Sequence, residues 1–156
     1  MTAIERTAYP RFRSSLTHEE LETYYTLTEP EIDFVQTKAS GETQQLALAL
    51  FLKAFQKLGY LPRLVDVPEQ IRQYIAQQLQ TVPESKSKNA AKASRKRYRR
   101  AIYDRLGIKP YGDGGPEAVQ IIVQRSARTM SDPADLINVA VEELVRQRFA
   151  LPAYST

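Results

Sequence analysis

The residues of this chain with the strongest chemical signature are nine bases within twenty positions: Lys86, Lys88, Lys92, Arg95, Lys96, Arg97, Arg99, Arg100 and Arg105, with Asp104 the one acid among them. That segment carries +8 in a chain of net charge +4, so everything outside it carries −4. A cationic patch of this density meets phosphates: each Lys or Arg that displaces a counterion from a nucleic-acid backbone adds affinity whatever the base sequence. Arginine adds a second capability, because its planar fork can contact guanine O6 and N7 or a phosphate through two bonds at once, whereas lysine acts as a point charge.

The other familiar chemistries find few residues to use. The chain has no cysteine, which removes disulfides, thiolate metal sites and thiol nucleophiles. His18 is the single histidine and sits between Thr17 and Glu19, the setting of a solvated helix-start residue rather than of a general base. Tyr111-Gly112-Asp113-Gly114-Gly115 is glycine-rich, but it lacks the Lys-Ser/Thr of a P-loop and follows no apolar strand, so it is expected to be a plain turn. Glu19, Glu20 and Glu22, like Glu142 and Glu143, occupy helix-start or solvent positions and offer no metal cage. Nine tyrosines without a cluster of histidines make only a faint case for a tyrosine nucleophile. Neither a catalytic residue nor a metal or other cofactor is therefore expected. No apolar run approaches the ~20 residues needed to span a bilayer, and the first residues do not have the pattern of a secretion signal. Membrane insertion is thus excluded, and a cytoplasmic location is expected.

The elements that must position the basic run are helical. Leu16-Thr17-His18-Glu19-Glu20-Leu21 and Leu27-Thr28-Glu29-Pro30-Glu31-Ile32 each offer a Thr cap, a Glu three residues on and a flanking apolar pair, which predicts short helices over 17–25 and 28–38. Residues 43–58 are apolar nearly all round and stop at Gly59, the pattern of a buried central helix. Another helix opens at Asp66-Val67-Pro68-Glu69, carries Ile71, Tyr74, Ile75 and Leu79 at helical spacing, and is expected to end at Val82-Pro83. The basic helix follows and closes at Leu106-Gly107. A further helix starts at Pro116 and runs to about residue 130. The last starts at Asp132-Pro133 and presents Leu136, Ile137, Ala140, Val141, Leu144, Val145 and Phe149 on one side. No segment argues for a strand, so the expected fold is all-α, about seven helices in one compact domain or in two small helical subdomains, 1–82 and 84–156.

Turning 100° per residue from Tyr98, the side chains of Ala91, Ser94, Ala101, Ile102 and Leu106 fall within about 80° of it and define a buried seam. Lys92, Lys96, Arg99, Arg100 and Tyr103 fall between about 100° and 200°, with Arg97 beyond them, on the opposite face. An α-helix is ~10–12 Å across and the B-DNA major groove ~12 Å wide, so this face can reach phosphates and base edges. Base readout is accordingly assigned to Lys96, Arg99 and Arg100, and phosphate positioning to Lys86, Lys88, Lys92, Arg95 and Arg97. Gln44, Gln45, Arg125 and Arg128 are weaker DNA-binding candidates. The competing reading is a helical protein-interaction adaptor whose basic face meets an acidic partner. A merely solvated face would mix both signs and supply acids at i+4, and here only Asp104, four residues after Arg100, does so.

The order of motifs along the chain adds a resemblance. Glu20-Leu21-Glu22-x-Tyr24-Tyr25-Thr26-Leu27-Thr28, then Gln45-Leu46-Ala47-Leu48-Ala49-Leu50 running to Leu58-Gly59-Tyr60-Leu61-Pro62, then Pro68 with Tyr74-Ile75-Ala76-x-x-Leu79, resembles the N-terminal region of the Tn-three-type replicative transposases. So do Arg97-Tyr98-Arg99-Arg100 leading to Leu106-Gly107-Ile108, and the closing Leu151-Pro152-Ala153-Tyr154-Ser155-Thr156, so that the resemblance covers the chain from Ile4 onward. It implies an all-helical module that recognises the double-stranded terminal inverted repeats of a transposon. It further implies a bacterial, nucleoid-associated setting, with strand cleavage and joining left to a metal-dependent catalytic remainder of the transposase. This chain is then expected to be an excised domain or a stand-alone remnant that does no catalysis. Where that family often has Asn-Arg ahead of its central apolar helix, this chain has Gln44-Gln45. Glutamine can still bond a base edge or a phosphate.

Overall fold

The computed structural model describes residue 7, residues 9–82 and residues 87–153, the side chains of 87–93 excepted. Seven α-helices run through them: α1 (His18–Tyr25), α2 (Glu29–Lys38), α3 (Glu42–Leu58), α4 (Glu69–Gln78), α5 (Ser87–Leu106), α6 (Gly115–Ser126) and α7 (Pro133–Arg146), with a 3-10 turn at Leu64–Asp66. No strand forms among the described residues, where Lys109 and Phe149 make a single isolated bridge. The fold is all-α. Its contacts divide into two units, one from Phe12 to Ile102 and one joining the described residues before Phe12 to those from Tyr103 onward.

In the first unit the helix starts follow from local hydrogen bonding. The Thr17 hydroxyl caps α1 by accepting the Glu20 amide at 3.1 Å. At α2 the capping box is complete: Thr28 Oγ1 accepts the Glu31 amide at 3.2 Å, and Glu31 Oε1 accepts the Thr28 amide at 2.8 Å. The Glu31 carboxylate also receives Lys53 Nζ at 3.1 and 3.2 Å and Gln56 Nε2 at 2.8 Å, so one side chain both starts α2 and ties it to α3. Burial raises the Glu31 carboxyl pKa, but the Thr28 amide, Gln56 and Lys53 outweigh it and hold the group below the ordinary carboxylate value. Every residue of α3 from Leu46 to Phe55 is buried, as its all-round apolar sequence requires. It stops at Gly59, whose φ of 82° suits glycine and whose amide reaches the Phe55 carbonyl at 2.7 Å.

Helix α4 ends earlier than expected, at Gln78 rather than at Val82-Pro83. Gln80 adopts φ 55°, and the Thr81 amide reaches back to the Ala76 carbonyl at 2.9 Å, a Schellman closure that stops the helix without glycine or proline.

In the second unit Gly107 (φ 67°) ends α5, and the Ile108 amide returns to the Tyr103 carbonyl at 2.9 Å. Gly115 opens α6 against the Tyr111 ring so closely that a Cβ there would lie 2.5 Å from Tyr111 Cδ2. α6 stops at Ser126 rather than near residue 130, because the Ser126 carbonyl takes the amides of Thr129 and Met130 and folds the chain into a turn. Asp132 caps α7 through a 2.9 Å bond from the Ala134 amide. Phe149, expected on the face of α7, lies outside the helix: Arg148 turns at φ 62°, the Phe149 amide returns to the Leu144 carbonyl, and the ring is buried beyond the helix end. Val145, expected on the same buried face, is 57% exposed. Ala134 and Leu144 are buried, whereas Leu136, Ile137, Ala140 and Val141 are half-buried. No helix among the described residues is long and apolar enough to cross a membrane.

Candidate nucleic-acid interface

The site is built on α5, whose orientation within the first unit is fixed by its own seam. Tyr98 and Ile102 are completely buried, and Ser94 and Ala101 are half-buried. The Tyr98 hydroxyl donates to Gln44 Oε1 at 2.6 Å and so ties α5 to the first turn of α3. Arg95 supplies a second tie. Its Nη1 and Nη2 donate to the carbonyls of Pro62 and Leu61, each at 2.7 Å, and its guanidinium lies 5.3 Å from the centre of the Phe51 ring. These bonds satisfy two loop carbonyls with a charged donor, the strong form of a backbone hydrogen bond.

The basic residues therefore fall into groups. Lys96, Arg99 and Arg100 are exposed and make no ion pair, hydrogen bond or ring contact with the described residues. Arg97 is exposed but lies over the Tyr98 ring, 5.2 Å from its centre. Arg95 points inward, as above. Tyr103 is half-buried and Arg105 is exposed, and each has an interaction of its own. Lys86 lies outside the described residues; Lys88 and Lys92 are in the backbone of α5 but their side chains, like that of Ala91, are outside them.

The weaker candidates are placed differently. Gln44 is half-buried and accepts the Tyr98 hydroxyl, while Gln45 Nε2 donates to the Ala39 carbonyl at 3.2 Å, so both serve the fold of the first unit. Arg125 and Arg128 are exposed in the second unit, at the end of α6 and just beyond it. Arg125 shares with Ile121, Glu143 and Arg146 the lining of a cleft of about 410 Å³. There the Arg146 guanidinium and the Gln147 amide both bond the Glu143 carboxylate, which pulls its pKa down to about 2, with the charge of Arg125 adding to the effect. Among the described residues, Lys96, Arg99 and Arg100 have no such carboxylate. Lys96, Arg99 and Arg100 stand at i, i+3 and i+4, neighbouring positions on a helix where like charges repel until an anion sits between them.

Fold and site together define a helical module that holds one face of a helix fast and, among the described residues, presents cations without an ion-pair partner on the other. The chain belongs to the family described as Domain of unknown function (DUF4158), which matches it over residues 1–156. Comparison with curated proteins gave no match.

Proposed function

We propose that this chain is a double-stranded DNA-binding module of a transposase, recognising the terminal inverted repeats of the transposon and leaving strand chemistry to the catalytic remainder. The observation that carries this reading is the set of three uncompensated cations, Lys96, Arg99 and Arg100, on the face of α5 opposite a seam held by Tyr98, Ile102 and Arg95. A helix anchored in this way can lie in a major groove without first ordering itself, so little binding energy is lost to immobilising it. The resemblance of the linear motifs to the Tn-three-type transposases supplies the narrower part of the reading, the transposon end as target.

A mobility-shift titration of the 156-residue chain at several salt concentrations tests it. If about six phosphates are neutralised, log K falls with a slope near −5 against log salt. Failure to shift any duplex, cognate or random, below roughly 10 µM protein at low salt would overturn the reading, since nonspecific binding alone reaches that range.

A further inference from the structure

The exposed side chains of α5 between Ser94 and Ile102 are Lys96, Arg97, Arg99 and Arg100, and all four are donors with no acceptor atom. No Asn or Gln stands among them to bond adenine, and the one exposed carboxylate among the described side chains of this helix, Asp104, lies a full turn beyond Arg100. Of the base edges in a major groove, guanine alone offers two acceptors side by side, O6 and N7, with no donor or methyl group on the same base. Arg97 is drawn over the Tyr98 ring and Arg95 is spent on the Leu61 and Pro62 carbonyls, which leaves two arginine forks free, at 99 and 100. From Lys96 to Arg100 the helix rises about 6 Å, less than two base-pair steps of ~3.4 Å.

We infer that this face takes a duplex step carrying guanines at two adjacent base pairs, one for Arg99 and one for Arg100, with Lys96 as the flanking point charge. The inference rests on the duplex-binding reading and adds to it the chemical identity of the bases read. Donor-only arginine forks set against the O6 and N7 of guanine have each of those two acceptors matched by an N–H. Opposite adenine or cytosine the same arginines would face an amino donor and lose the two-bond contact, keeping at most one bond to adenine N7.

The test uses the 156-residue chain and two duplex libraries randomised over about 20 base pairs, one natural and one with every guanine replaced by 7-deazaguanine. The replacement keeps the base pair and the phosphates but removes the N7 acceptor. Retained natural duplexes are expected to be enriched in guanine at two adjacent positions. With the modified library that enrichment disappears and retention falls about tenfold. Arg99→Ala and Arg100→Ala should each relax one of the two positions. Both side chains are exposed and stand among like charges, so the two variants should melt no lower than the parent, and the modified library needs no variant at all. Enrichment of a step without guanine, enrichment that survives both the modified base and the arginine variants, or retention with no enrichment would overturn the guanine assignment while leaving duplex binding in place. If neither library is retained at low salt, the duplex-binding reading fails and takes this inference with it.

Discussion

Arg95 and Arg99 stand one helical turn apart in α5 and point different ways, one closing a loop and the other left exposed. Replacing Arg95 with alanine removes two charge-assisted hydrogen bonds and strands two carbonyls, so urea unfolding should show a loss of about 2 kcal/mol. Arg99→Ala removes no contact and relieves like-charge repulsion, so it should not lower the same unfolding midpoint. Arg95 was expected on phosphate, yet the helical turn that puts Ser94 and Ile102 on the buried seam also puts Arg95 only about 60° from Tyr98. Its charge argued for phosphate and its position argued for the core, and position decides the direction in which the side chain points. The acceptors it found, on Leu61 and Pro62, lie more than thirty residues away and leave no trace in local pattern. Glu31 and Lys53 make a second residue-scale case, with side chains 7% and 8% exposed. Lys53→Met leaves the Glu31 carboxylate buried without its cation and should cost about 3 kcal/mol in chemical denaturation. Because the folded Glu31 pKa is lowered, its ionised form stabilises fully above the ordinary value of 4.5, and that contribution is lost as pH falls from there through the lowered value. Glu31→Gln should therefore flatten the stability profile on the acid side of pH 4.5. A profile as steep as the parent's would remove Glu31 as its source.

At the scale of elements, the helix starts were readable and the helix stops less so. Thr17, Thr28 and Asp132 each cap as their spacing indicates, since the bonds join residues two or three apart. Thr28→Ala should lower stability by about 1 kcal/mol, seen as a shift in thermal midpoint. The ends of α4 and α7 are closed by Gln80 and Arg148 in left-handed geometry, which sequence pattern reserves for glycine, so nothing local announced them. The exposure of Val145 on α7 was hidden for a related reason: an apolar stripe indicates which way a helix can face, whereas the covering element is set by distant residues. Gly115 is the position where an element leaves no room. Gly115→Ala would drive a methyl into the Tyr111 ring and should cost about 1 to 3 kcal/mol, measured by denaturant unfolding.

Across the whole molecule, charge is segregated more sharply than the net value of +4 conveys, with +8 in residues 86–105 and −4 elsewhere. Like charges at neighbouring helix positions oppose folding until they are screened, so the thermal midpoint of the chain alone should rise by about 2 °C between roughly 20 and 300 mM salt. A bound duplex should raise it further at low salt, by mass action on the folded state. Incubation with supercoiled DNA and a divalent cation is expected to leave the DNA uncut, because the proposed role of this chain is binding alone; nicking that persists through repurification would contradict that role. The seam of α5 has one more implication. Within nine residues, Ser94 to Ile102, the side chains that hold the helix are separate from those that point away from it, so Lys96, Arg99 and Arg100 can be exchanged without retuning any packed contact. Under the proposed duplex-binding role, such a helix is an interchangeable cassette. Relatives serving different targets are expected to vary at 96, 99 and 100 and to keep Arg95, Tyr98 and Ile102, and new specificities can be selected by randomising those three positions alone.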